Sequence, residues 1–230
     1  MGRQFKIGNP PIAVELRRSK RAKRLSLRVS RLDGRVTLTM PDRAPEAEGL
    51  SFVQEREDWL RKHLSDVTEI AVPRLGGTVL YRGEEMPIIA APVRRAIFRD
   101  GALAVPDDPD AVASRVKAFL RLRARDVLAA ASDKYAAEVD RNYTRLSLRD
   151  TRSRWGSCSS KGVLMYSWRL IMAPPEVLDY VAAHEVAHLV EMNHSQAFWD
   201  VVAGLMPDYD THRKWLRTHG NQLHRISFPD

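Results

Sequence analysis

The amino-acid sequence predicts an α+β protein with a β-rich N-terminal part, residues 1–106, followed by a mainly helical part, residues 107–230. Three features predict this class. Short segments that alternate apolar and polar residues are frequent before residue 107, and this alternation is typical of strands. A long amphipathic segment follows Asp107, and a segment that is apolar on nearly every side spans residues 177–190, which indicates a surface helix and a buried one.

The N-terminal part consists of strand-like segments around one helical segment. Two dipeptides, Asp33 with Gly34 and Asp100 with Gly101, are typical of tight hairpin turns. Residues 46–64 carry apolar side chains at helical spacing and predict one helix. The predicted strands are 12–19, 24–30, 35–40, 78–83, 87–91, 94–100 and 102–106.

The second part begins with a long helix predicted over residues 107–139, whose apolar stripe would pack on a sheet and on the buried helix. Two strands, 147–150 and 163–168, follow and are joined by a loop over residues 155–162. The buried helix starts after Pro174 and Pro175, where proline is tolerated in a first turn. Two more helices are predicted after residue 194, and they end at Pro207 and Gly220.

The buried helix contains an H-E-x-x-H sequence formed by His184, Glu185 and His188, and His194 follows six residues later. On a helix, His184 and His188 lie one turn apart on the same face, whereas Glu185 lies about 100° around the axis. Ionisable groups in a buried helix cost several kcal/mol unless they have a partner. A divalent metal ion is one such partner; core histidines satisfied by hydrogen bonds are the alternative.

The segment from Arg154 to Trp199 resembles the YgjP-like metallopeptidase family, a zincin relative of the SprT-like and WLM proteases. The matching motifs are RWGSCSS, a Leu-x-x-x-Pro-Pro step, DYVxxHExxH and NHSxxFW, and similarity extends upstream through RRSKRAKRLSLRV. The resemblance implies a zincin-like fold, Zn²⁺ held by His184, His188 and His194, and Glu185 as general base. Glu191 stands where the related metzincins have glycine, so we expect the chain to turn at Asn193, a residue that tolerates left-handed backbone.

The only cysteine, Cys158, has two interpretations. It is a nucleophile with a histidine partner, or it belongs to a structural loop in which Gly156 makes a turn and Trp155 packs. A single cysteine excludes an intramolecular disulfide and fits a reducing compartment. No apolar run approaches the roughly 18 residues of a membrane-spanning helix, so we expect a cytoplasmic protein without a membrane partner.

The net charge of +8 is concentrated in residues 17–31, which hold eight Arg or Lys residues and no acid. Such a run can neutralise nucleic-acid phosphates. It is also compatible with a solvated strand face, because Leu25, Leu27 and Val29 alternate with polar residues.

The predicted function is therefore a zinc-dependent hydrolase that acts on peptides or proteins. Two alternatives stay open: a SprT-like protease that acts on nucleic-acid-bound proteins, and a non-catalytic protein with structural zinc. Further candidates for supporting roles near the metal are Tyr166, Asp208, Asp210, His212, His219 and His224.

Overall fold

A computed structural model describes residues 3–30, 34–65 and 71–229 of the chain. The chain forms two compact units, Met1–Ile70 and Ala71–Asp230. Both strands and helices are present, so the predicted α+β class is confirmed. Within the described residues, no helix combines the length and the apolar character that crossing a bilayer requires.

The first unit is a four-stranded sheet with two helices. Its sheet has the order β1-β2-β4-β3, with β2 parallel to β4 and the other neighbours antiparallel. Inward-facing residues such as Val14, Leu38 and Leu60 are fully buried and form a separate core. The elements are β1 (Arg3–Ile7), β2 (Ile12–Ser19), β3 (Ser26–Val29), β4 (Val36–Pro41), α1 (Glu46–Gln54) and α2 (Glu57–Ser65).

The structure bears on two predictions for this unit, a single helix and a tight turn. The helix predicted over residues 46–64 is two helices, because α1 ends at Gln54 and α2 begins at Glu57. The predicted turn at Asp33 and Gly34 lies partly outside the described residues, although β3 and β4 pair in the antiparallel register that such a turn requires.

The second unit begins with another four-stranded sheet in the order β5-β6-β8-β7. Asp100 and Gly101 both have positive φ, 51° and 75°, and so form the predicted turn. Ile88 and Leu103 of this sheet belong to the same core as the helices that follow. The boundary predicted after residue 106 therefore falls inside this unit. The strands are β5 (Thr78–Tyr81), β6 (Glu84–Ala90), β7 (Ile97–Arg99) and β8 (Ala102–Val105).

A long helix and a three-stranded sheet follow. The helix, α3 (Val112–Glu138), is preceded by a 3₁₀ turn, Pro109–Ala111, and buries the predicted stripe. The sheet contains β9 (Arg145–Arg149), β10 (Gly156–Cys158) and β11 (Val163–Ser167) in the order β10-β11-β9. The predicted loop thus contains a short strand, β10, which lies at the edge of the sheet and runs antiparallel to β11.

The chain ends with three helices: α4 (Pro175–Ala187), α5 (Gln196–Leu205) and α6 (Tyr209–His219). Pro175 occupies the first turn of α4, as predicted, and the helix is buried on nearly all sides. The 3₁₀ segments Trp168–Met172 and Gly220–His224 flank this helical part. Helix α4 packs against α3, α5 and α6, so its central residues lie inside the core.

Candidate metal centre

Three histidines meet at the C-terminal end of α4. His184 lies in the last turn of the helix, and His188 is the residue that caps it. The Nε2 atoms of His184 and His194 are 3.2 Å apart. One ring nitrogen from each of the three histidines lies within 4.8 Å of the others. Residues separated by up to ten positions thus come together in one cluster; the H-E-x-x-H spacing predicts this for His184 and His188, and the family resemblance implies it for His194.

The chain returns His194 to the helix by a different turn from the one expected. The backbone at Asn193 does not enter the left-handed region. Instead, the helix stops at Ala187, whose carbonyl accepts hydrogen bonds from the N–H groups of Val190 and Glu191. The side-chain oxygen of Asn193 then accepts a hydrogen bond from the Ser195 N–H. Asn193 is therefore important through its side chain rather than through its backbone conformation.

Two aromatic residues of α5 hold the imidazoles in place. The ring of Phe198 stacks on His188 at 4.4 Å and contacts His184 and His194 edge-on at 4.9 and 4.8 Å. Trp199 lies 5.7 Å from His184 and 5.8 Å from His194. Because Phe198 is fully buried, the ring positions are fixed by packing.

The protonation of these histidines suits metal binding. Burial, together with the charges of His188, His194 and Arg213, lowers the pKa of His184 to about 3. Burial also lowers the pKa of His188, against the opposing effect of its hydrogen bond to Glu191. Nδ1 of His188 lies 3.0 Å from the Glu191 carbonyl oxygen. Since a carbonyl can only accept, Nδ1 carries the proton and Nε2 is left with a free lone pair.

The imidazole nitrogens could hold a metal ion, and the spacing of one pair can be compared with that in a zinc site. Tetrahedral zinc with Zn–N bonds of about 2.0–2.1 Å requires nitrogen ligands roughly 3.3–3.4 Å apart. The 3.2 Å between the Nε2 atoms of His184 and His194 is close to that separation. Two neutral imidazoles at this distance share at most one hydrogen bond, whereas a cation satisfies both lone pairs.

Glu185 lies on a different face of α4 and packs against β10. Its side chain is 5% exposed. A Cβ atom built on Gly156 would lie 2.6 Å from Cγ and 2.7 Å from Cδ of Glu185, so only glycine admits this approach. Burial raises the pKa of Glu185 to about 8, and Arg154 and a hydrogen bond from the backbone of Cys158 partly oppose that rise.

Two cavities meet at His184, Glu185 and Gly156. One, of 240 Å³, also contacts Cys158 and the other two histidines of the cluster. The second, of 380 Å³, extends away from them along α6 and includes Trp155 and Tyr180. A peptide lying across Glu185 would therefore have open space on both sides of the carboxyl group.

A family model of the YgjP-like metallopeptidase domain matches residues 23–219, most of the chain. The chain belongs to the YgjP-like metallopeptidase family. A solved structure, the metallopeptidase zymogen abylysin of Pyrococcus abyssi, matches with a TM-score of 0.35 and 19% identity, covering 42% of this chain and 95% of that one. No curated protein matches significantly.

In this YgjP-like protein, Cys158 lies on β10 and contacts the smaller cavity. Burial, with the charge of Glu185, raises the pKa of its thiol to about 11. A thiol of that pKa is protonated near neutral pH and is a poor nucleophile, so the raised pKa favours the structural interpretation. Trp155 stacks on His224 at 5.1 Å, consistent with the packing role predicted for this loop.

The remaining candidates lie away from the histidine cluster or are engaged elsewhere. The Tyr166 hydroxyl is fully buried and lies 3.0 Å from the Ser132 hydroxyl, so it is not available to a substrate. Asp208 and His212 pair with each other at 3.0 Å. Asp210 pairs with Arg213, His219 packs on Trp215, and His224 packs on Trp155.

The basic stretch of residues 17–31 lies in the first unit, and the structure describes it up to residue 30. Arg18 is engaged with Glu46 and with backbone carbonyls. Most of the other cations, including Arg24 and Arg28, are exposed along β2, β3 and their connection. The alternation predicted for this stretch is present in β3, where Leu27 and Val29 are half-buried between exposed residues.

Sequence reasoning did not identify two residues next to the cluster, Arg213 and Trp199. The guanidinium of Arg213 lies 4.6 Å above the Trp199 ring, which itself contacts two of the histidines. The Asp-x-x-Arg spacing of Asp210 and Arg213 predicts a helical ion pair. This spacing does not predict which residues from other parts of the chain lie next to the ion pair.

Proposed function

We propose that this protein is a zinc-dependent peptidase in which His184, His188 and His194 hold the ion and Glu185 is the general base. One observation carries the proposal: three imidazoles converge within 4.8 Å beside a buried carboxyl group whose pKa is raised to about 8. Membership of a metallopeptidase family supports a metal-dependent peptidase in general.

The ligand set favours zinc and a catalytic site. Imidazole nitrogens suit zinc, and three protein ligands with one open position are typical of catalytic zinc centres. When bound, the ion would supply Lewis-acid polarisation of the scissile carbonyl and would lower the pKa of a coordinated water to about 7. Among the described residues, the cluster contains no fourth protein ligand, which argues against structural zinc.

Glu185 is placed to move the proton. A carboxylate oxygen of Glu185 would take the proton from the attacking water and later deliver it to the departing amide nitrogen. Because burial raises the pKa of Glu185, its carboxylate is a stronger base than an exposed one and retains the transferred proton more readily between these two steps. The N–H of Cys158 and the close contact with Gly156 fix its orientation, and fixed orientation is a main source of catalytic rate.

The edge strand β10 is the proposed docking site for the peptide backbone. The N–H groups of Ser167 and Ser159 donate to the carbonyls of Trp155 and Val163. In the antiparallel pattern, Gly156 and Cys158 then direct their backbone groups away from β11. The Cys158 N–H is used by Glu185. The other outward groups can pair with an extended substrate, which is a common mode of peptide recognition.

The test is cleavage of an unstructured peptide mixture by the zinc-loaded protein in H₂¹⁸O. We expect new carboxyl termini that carry one ¹⁸O atom, detected by mass spectrometry. Glu185→Gln should reduce the rate by about 10²–10⁴-fold, the usual contribution of a general base. Glu176→Gln, an exposed position on the same helix, is the matched control and should keep full activity. A fully active Glu185→Gln protein would refute the assignment.

The exposed basic stretch supports a second candidate, a peptidase that acts on nucleic-acid-bound proteins. Neutralising several phosphates gives binding that weakens steeply with salt. Oligonucleotide binding measured at two salt concentrations, with the double variant Arg24→Gln and Arg28→Gln, tests this. A loss of binding in the variant together with oligonucleotide-stimulated cleavage by the wild type would favour this candidate. Salt-independent or absent binding would leave the basic stretch as a solvated strand face.

A further inference from the structure

The 380 Å³ cavity beside Glu185 contains three arginines, Arg154, Arg213 and Arg217, and one acid, Glu185 itself. We infer that this cavity binds a carboxylate of the peptide substrate and so directs cleavage to acidic peptides or to chain ends. The inference rests on the proposed peptidase function and names the substrate class for it.

Arg213 brings a fixed positive charge to the cavity. Its guanidinium lies over the Trp199 ring at 4.6 Å and 3.7 Å from Asp210. The same Trp199 ring packs on His184 and His194. The position of the charge relative to the histidine cluster is therefore set by packing. Preorganised charge binds an anion without the entropy cost of ordering a flexible side chain.

Arg154 and Arg217 are not held in ion pairs by neighbouring acids, although the charge of Arg154 lowers the pKa of Glu185. Both are exposed, and neither has an ion pair with an acid among residues 3–30, 34–65 and 71–229. Glu185 is buried, and its contacts with β10 hold it at the cavity's end. The cavity thus has an excess of positive charge, which attracts an anionic group.

The remaining walls are apolar and rigid. Trp155, Tyr180, Val181 and Leu216 line the cavity. The Trp155 ring is held between His224, at 5.1 Å, and Gly220, where a built Cβ would lie 2.9 Å from Cζ2. Apolar walls lower the local dielectric constant and strengthen the attraction between a guanidinium and a carboxylate. Arginine also pairs with a carboxylate through two parallel hydrogen bonds.

A peptide offers carboxylates from two sources, an acidic side chain and its own C-terminus. Glu185 and His184 line the cavity, so either group would lie within a few residues of the scissile bond. An acidic side chain would make the protein an endopeptidase with acidic preference. A terminal carboxylate would make it a carboxypeptidase.

The experiment measures dissociation constants of four kinds of N-acetylated hexapeptide on the zinc-loaded protein by calorimetry. The peptides are neutral with an amidated end, neutral with a free carboxylate, and amidated with either one internal Glu or the matched internal Gln, each at several positions. Mass spectrometry confirms that they stay intact. We expect at least one carboxylate-bearing peptide to bind about tenfold tighter than its neutral partner.

Arg217→Gln should remove most of that tenfold preference, and Arg217→Lys should restore part of it, because lysine keeps the charge but loses the paired hydrogen bonds. Arg121 is an exposed arginine on α3, far from Arg217 in the sequence. Arg121→Gln makes the same change of charge and should bind the peptides like the wild type. Arg217 is exposed, so its replacement is not expected to prevent folding.

The outcomes separate this inference from the proposed function. Tighter binding of only the free-carboxylate peptide indicates a terminal carboxylate, and tighter binding of only the Glu peptide indicates a side chain. Equal binding of all four peptides, or no binding, overturns the inference, even if peptides are cleaved. Carboxylate-dependent binding of the hexapeptides, together with no cleavage in the separate H₂¹⁸O assay of the peptide mixture, would retain the cavity and refute the peptidase.

Discussion

Replacing Gly156 with alanine tests how closely catalysis depends on the position of Glu185. The new Cβ would lie 2.6 Å from Cγ of Glu185, whereas non-bonded carbons prefer about 3.5–4.0 Å. The carboxyl group must therefore move by about 1 Å, the shortfall from the lower limit. The φ of Gly156 is not in the left-handed region, so alanine is compatible with the backbone.

We expect kcat to fall about 10²-fold, because a displacement of about 1 Å can cost that much, equivalent to about 2.7 kcal/mol of transition-state stabilisation. Zinc content should stay at the wild-type level, because the three atoms nearest to the new Cβ all belong to Glu185 and none to a histidine. Stability should change by about 1 kcal/mol or less, because the displaced atoms are the end of a flexible side chain.

Steady-state kinetics with a peptide substrate, metal analysis and urea unfolding measure these three effects. Gly204→Ala is the control, since a Cβ there meets nothing within 4 Å; it should keep full activity. In a Glu185→Gln background, Gly156→Ala should have little further effect, because the group through which it acts is already gone. An unchanged kcat in Gly156→Ala, or a loss of zinc, would refute the reasoning.

Three more predictions concern residues that support the site. Arg169→Leu should lower the free energy of unfolding by about 3 kcal/mol in urea titrations, because buried Arg169 binds Asp150 and two backbone carbonyls; a change under 1 kcal/mol would contradict this. Tyr135→Phe should cost about 1–2 kcal/mol with unchanged kcat, because its hydroxyl donates to Asp179 and links α3 to α4. Burial lowers the pKa of His224 in the folded protein from 6.5 to about 4. As the pH falls, His224 is therefore protonated in the unfolded chain before it is protonated in the folded one. The free energy of unfolding of the wild type should therefore decrease, relative to that of His224→Phe, as the pH falls from 6.5 to 4. Parallel pH profiles of unfolding free energy in the two proteins would contradict the lowered pKa.

Much of the second unit was predictable because its signals are local. The apolar residues at helical spacing that predicted a helix over residues 107–139 are the buried face of α3. The H-E-x-x-H spacing placed His184 and His188 one turn apart, and the three histidines meet as expected. Periodicity and motif spacing report on neighbours within one or two turns, which is the range over which these predictions hold.

The features that the sequence did not predict depend on tertiary contacts. Strand β10 has three residues, too few for an alternating pattern, and it forms only because β11 lies beside it. The apolar stripe of residues 46–64 continues across Glu55 and Arg56, so periodicity alone did not show the break between α1 and α2. Gly156 was interpreted as a turn residue, whereas its role is to give Glu185 space.

Metal content tests the central claim most directly. Purified wild type, His188→Ala, Glu185→Gln and the control His219→Ala should be analysed for all divalent metals by mass spectrometry. The account predicts about one zinc per chain in wild type, Glu185→Gln and His219→Ala, and its loss in His188→Ala, because an open catalytic site needs all three imidazoles. The account would be contradicted if the wild type held no zinc after zinc loading and His188→Ala folded as stably as the wild type. The three histidines would then be core residues without a metal.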